Sequence, residues 1–181
     1  MERAEIDLLK EHLPYELDML DNAVCFMNSP EFAKLGESSD KLDQFKKNAA
    51  IESFWTHARN LIEFLSRDKS PDLNVSSASA RDFAEGYRSN LDLESVSKKI
   101  NEQVSHLGYR RVSLPPDKLS HEIHFVKSGL DSAFRRFQEQ LNPECQEHWE
   151  QRQFEQAAVI VHANATATNT ITIIGSSKMN E

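Results

Sequence analysis

Three stretches of this 181-residue chain bring together side chains that do chemistry. The first is His57, Arg59 and Asn60, an imidazole, a guanidinium and a carboxamide within little more than one helical turn. Such a group can hold an anion and move a proton. Taken singly, each residue also has a bland reading. His57 would be a boundary histidine bonded to a neighbouring helix, Arg59 a surface ion-pair partner and Asn60 a solvated amide. The second stretch is NEQVSHLGYRR, Asn101 to Arg111. Here His106 and Arg110 can approach across a helix end, with Arg111 beside them and Lys99 and Glu102 one turn back. A histidine and two arginines at one helix terminus can bind a phosphate and shuttle a proton. The bland alternative is that Arg110 and Arg111 compensate the carbonyl end of the helix. The third stretch, His121-Glu122-Ile123-His124, superficially suggests metal. Zinc-protease histidines stand four apart with the glutamate directly after the first, and no further His or Cys cluster completes a site. It reads as a solvated helix edge, and no metal or cofactor is expected. No nucleophile elbow, phosphate-cradling glycine loop or dinucleotide fingerprint is present.

These residues need helices to position them, and the apolar periodicity supplies them. Over residues 42–66, Ile51, Phe54, Trp55, Ala58, Leu61, Ile62 and Leu65 recur at the i, i+3, i+4, i+7 spacing of a helix burying one broad face. His57, flanked at that spacing by Phe54 and Leu61, falls at the edge of the stripe. A first helix is predicted over about 14–28 from Leu13, Leu17, Leu20, Val24 and Met27, with Pro14 in a first-turn position and Ser29-Pro30 as its end. Residues 31–41 read as a polar connection. Residues 67–80 read as a loop, and a short helical turn over 80–88 pins it down through Phe83 and Tyr87. A third long helix is predicted from Asp92, with Leu93, Val96, Ile100, Val104 and Leu107 on its stripe and Gly108 as its cap. A fourth runs to Leu141 through Leu119, Ile123, Val126, Leu130, Phe134 and Phe137, and Asn142-Pro143 ends it. A less regular fifth helix is predicted over about 143–157. The tail then alternates Thr166, Thr168, Thr170 and Thr172 with Ala, Asn and Ile, a period of two that suits a strand or a disordered segment.

Composition agrees with one helical domain. Five glycines and six prolines are few for a loop-rich or β-rich chain. A net charge of −8 argues against a general nucleic-acid coat, without excluding a local basic site. Cys25 and Cys145 form no framework and no ligand spacing, which suits a reducing cytoplasm. The N-terminus is charged from its second residue and lacks an apolar signal core, and no apolar run is long enough to span a membrane. The expected class is all-α: an up-and-down bundle of four to five helices over 1–157, followed by a flexible or β-prone tail over 158–181.

With ESFWTHARNLIEFL in one long helix and NEQVSHL closing a later one, the chain resembles the HEPN superfamily of small helical bundles over about residues 10–141. The resemblance implies a homodimer with its site in the dimer cleft, and a metal-independent endoribonuclease of a toxin–antitoxin or phage-defence system. His106 would be the family's histidine, acting as general acid and base on RNA. Arg110 or Arg59 would hold the phosphate, with His57, Asn60 and Arg111 as further binding residues. Asn101 stands where the family usually has arginine, and Lys99 is the basic residue at an allowed spacing. The rival expectation is a non-catalytic HEPN-like module that binds a nucleotide or a cognate partner protein. A third is a purely structural helical dimer in which His57, Arg59 and Asn60 form a polar network.

Overall fold

The computed structural model describes residues 1–68, 78–89 and 116–154. Among them all regular structure is helical: α1 (Arg3–Asp7), a π-helical turn (Leu8–His12), α2 (Leu13–Met27), α3 (Pro30–Glu37), α4 (Lys41–Ser66), α5 (Ala80–Phe83), α6 (Pro116–Gln140) and α7 (Pro143–Gln146). The class is therefore all-α, as the periodicity implies. The predicted helix over 92–108 with Asn101 and His106, the following Arg110 and Arg111, and the predicted tail lie outside the described residues.

The central helix starts within one residue of its expected boundary, because Asp40 caps it: its carboxylate accepts from the backbone N–H groups of Leu42 and Asp43. Three other expectations need correction. The predicted polar connection over 31–41 contains α3, which Ser29 caps by accepting from Phe32 N–H at 3.2 Å, with Pro30 in the first turn. The predicted fifth helix over 143–157 stops at Gln146. The backbone beyond it is held by side chains instead: Gln138 Oε1 accepts from Trp149 Nε1 at 2.8 Å and from the Arg152 backbone N–H at 2.9 Å.

The first helix also begins earlier than residue 14, running from Arg3 through the π-helical turn. Pro14 explains that turn. Its ring would clash with the carbonyl four residues back, at Lys10, and it lacks an N–H, so the helix widens over Leu8–His12 and continues. Leu9 stays buried across the irregularity and keeps this turn attached to the core.

Helix α2 packs along α4 and runs antiparallel to it. Glu16 lies against His57 and Asn60. From that level, helical rise puts Met27 about 16 Å away along α2 and Lys41 about 25 Å away along α4. A parallel pair would separate those ends by about 40 Å, whereas the connection through α3 spans roughly 30 Å at most. Helix α6 then joins with Lys127 beside Asp21 and with Phe134 and Phe137 against Phe64, so it runs in the direction of α4. The up-and-down order between α4 and α6 turns on residues outside the described set.

The core is aromatic at one end. Phe64 stacks on Phe134 with ring centroids 6.2 Å apart and meets Phe137 edge-on at 5.4 Å. Phe137 also meets Tyr87 and Trp149 in edge-to-face contacts. Edge-to-face pairs of this kind add about 0.5–1.5 kcal/mol beyond the area that they bury. Tyr87 enters without leaving its hydroxyl unbonded, donating to Ala133 O at 3.1 Å. Helix α5 is set against this end by a capping box between Ser79 and Asp82, and the Asn142 backbone N–H donates to Phe83 O. The free thiol of Cys145 is buried beside it, which pushes its pKa up, whereas Cys25 is exposed.

Candidate functional site

Of the three residues predicted on the central helix, the structure brings two together and sends the third elsewhere. His57 and Asn60 stand one turn apart, on the side of α4 that faces α2. Both reach Glu16, a residue that sequence reasoning did not single out. His57 Nδ1 lies 2.7 Å from Glu16 Oε2, and Asn60 Nδ2 donates to the same oxygen at 3.1 Å. An ionised carboxylate offers only lone pairs, so Nδ1 carries the proton and donates. The other ring nitrogen, Nε2, meets no partner among the described residues and is not sealed from solvent. The pair is substantially desolvated, with 12% of the His57 side chain and 23% of the Glu16 side chain exposed. Charge-assisted hydrogen bonds gain strength in such surroundings. Tyr15 completes the group, its ring edge-on to the imidazole at 5.8 Å and 79°.

Arg59 points elsewhere, its Nε 3.0 Å from Glu63 Oε1 on its own helix, and Arg67 reaches the other oxygen of Glu63 at 3.3 Å. All three side chains are more than 40% exposed. Ion pairs of this kind on a helix surface contribute about 0.3–0.5 kcal/mol. The His57–Asn60 expectation thus acquires a cross-helix partner, and the bland reading of Arg59 as an ion-pair partner describes its contact with Glu63.

A second polar cluster was not legible in the sequence. Lys127 on α6 binds Asp131 one turn on, with Nζ 2.6 and 2.5 Å from its two oxygens, and reaches Asp21 of α2 at 3.0 Å. Arg152 pairs with Asp18 and approaches Asp21. Burial alone would push the Lys127 ammonium down, but the hydrogen bonds and charges of Asp131 and Asp21 outweigh it, so its pKa rises above the ordinary lysine value. Its contribution to stability is therefore complete below about pH 10.5 and is lost only as alkali removes the proton. With two cations matched by three carboxylates, of which Asp18 and Asp21 are about half exposed, the cluster ties the last described segment to α2 and α6 and offers no evident reactive group.

His121 and His124 are exposed on α6, and His124 Nδ1 donates to Ser120 O at 2.8 Å. Among the described residues no group of three or more His, Cys, Asp or Glu side chains gathers closely enough to hold a metal ion, and no helix is long and apolar enough to cross a membrane. Among the described residues the fold thus yields one candidate site, the Tyr15, Glu16, His57 and Asn60 group between α2 and α4. No protein-family model, curated protein or solved structure matches this chain.

Proposed function

We propose that the chain is a HEPN-like helical module that binds a partner rather than cutting RNA. One observation carries this reading: the described side chains expected to receive phosphate already face carboxylates of the chain itself. Glu16 takes both His57 and Asn60, and Glu63 takes Arg59. A phosphodiester placed at His57 would approach the ionised Glu16, a like-charge contact strengthened by the low dielectric of a half-buried site. The net charge of −8 opposes an extended polyanion in the same direction. The test is incubation of purified chain with a mixed single-stranded RNA substrate, beside a His106→Ala variant of unchanged helicity. Equal, background-level turnover in both is expected, and cleavage that disappears in the variant would sink the reading.

The endoribonuclease reading has one observation in its favour, the Glu16–His57 pair itself. A carboxylate on Nδ1 fixes the tautomer and ring orientation and presents Nε2 for proton transfer, as an acid–base histidine requires. It calls for no metal. On this reading His57→Ala and His106→Ala would each abolish cleavage.

A further inference from the structure

We infer that Glu16, at the contact of α2 with α4, receives an arginine side chain from a basic segment of the partner, an assignment that rests on the partner-binding reading above. The argument starts from how Glu16 is held. Two donors, His57 Nδ1 and Asn60 Nδ2, converge on Oε2 at 2.7 and 3.1 Å and fix the carboxylate. Oε1 meets no donor among the described residues and is open to solvent. A charged acceptor immobilised in advance binds a cation with little further loss of side-chain entropy.

Beside it in sequence stands Tyr15, an aromatic residue left 54% exposed although Leu13 and Leu17 on either side of it are buried. Its edge-on contact with His57 steadies the ring. A half-buried carboxylate next to an exposed phenol ring matches a guanidinium, which stacks on the ring and donates an N–H to the oxygen. Asn60 has committed its Nδ2 to Glu16, so its Oδ1 remains as a neutral acceptor alongside for a second N–H. Lysine fits less well, because a compact ammonium keeps its hydration and lacks the plane that stacks on the ring. An anionic ligand meets the charge of Glu16, and Arg59, the cation one residue from Asn60, already faces Glu63.

The experiment uses the full chain and a fluorescein-labelled nona-arginine peptide, followed by anisotropy at physiological salt, with nona-lysine and nona-glutamate peptides as controls. The variants are Tyr15→Ala, Glu16→Gln and, as an equal change of charge on exposed α6 surface, Glu139→Gln. The expected result is saturable binding of nona-arginine that is stronger than that of nona-lysine. Tyr15→Ala and Glu16→Gln each weaken it about tenfold, and Glu139→Gln leaves it unchanged. Tyr15→Ala is the decisive variant should Glu16→Gln lower the melting temperature, since an exposed ring is removed with little consequence for the core. Binding that is absent, or equal in all four proteins, overturns the assignment. The RNA assay judges the partner-binding reading separately, so a chain that cuts no RNA yet ignores these substitutions loses the arginine site alone.

Discussion

The two halves of α4 are one uninterrupted helix held by different forces. From Phe54 to Leu65 seven side chains are buried, and Phe64 alone meets three aromatic rings from α5 and α6. From Lys41 to Ala50 none is buried, and Leu42 and Phe45 are 59% and 67% exposed. That first half rests on local devices. Asp40 caps it, Ser38 donates to Asp43 at 2.8 Å, and Lys46 reaches the same carboxylate. The hydrogen bonds from Ser38 and Lys46 hold the Asp43 carboxyl below its usual pKa. Caps and surface pairs contribute about 1 kcal/mol or less each, whereas one buried aromatic contributes several. Helical backbone is therefore no measure of tertiary stability. The site at His57 lies where the strongly packed half begins, which gives its side chains a rigid base.

Three measurements would break or sharpen this contrast, and the largest effect is expected at the packed end. Phe64→Ala should cost about 3–5 kcal/mol in denaturant unfolding, through lost transfer energy and an incompletely filled cavity. A loss below about 1 kcal/mol would contradict the central role of that ring.

Tyr87 sharpens the same end through pH. Burial pushes its hydroxyl pKa up to about 12, and the Ser89 hydrogen bond and the Arg136 charge only partly oppose the rise. An unfolded tyrosine ionises near pH 10, so above that value the unfolded chain loses a proton that the folded chain keeps. Stability should be unaffected by this group below pH 10 and decline between 10 and 12. Tyr87→Phe should flatten that part of the stability profile, at the cost of the hydrogen bond to Ala133. Parallel profiles for the two proteins would show that Tyr87 is not the group responsible.

The smallest effect belongs to the exposed half. Asp40→Ala should cost about 1 kcal/mol or less. Its signature should be faster amide exchange in the first turns of α4, with protection at Leu61 to Leu65 unchanged. If protection fell equally at both ends, the two halves would form one cooperative unit and the comparison would fail.

Much of the fold was legible because the signals were local. The apolar stripe of α4 reports which face is buried, and the end of the polar connection before it places the start of the helix to within a residue. Residue patterns also placed α6 and the short turn at Ala80. Helix α3 was missed although Ser29-Pro30-Glu31 is a start signal, because Gly36 and the following Ser-Ser-Asp run suggested a loop. The expected continuation of α7 failed because Trp149 and Arg152 are engaged by Gln138, a contact between segments that no periodicity encodes.

The candidate site divides in the same way. The sequence by itself determined that His57 falls at the edge of a buried face, since its spacing from Phe54 and Leu61 allows little else. Only the tertiary structure decided which carboxylate meets it. Glu16 looks like one more charge between Leu13, Leu17 and Leu20, and nothing along the chain distinguishes it from the other acids of α2. Its role arises because α2 runs antiparallel to α4 at a register that puts Glu16 level with both His57 and Asn60. The physical reason is range. Helix propensity, capping and amphipathicity act within about a turn, whereas the pairing of two helices depends on how their whole surfaces interdigitate.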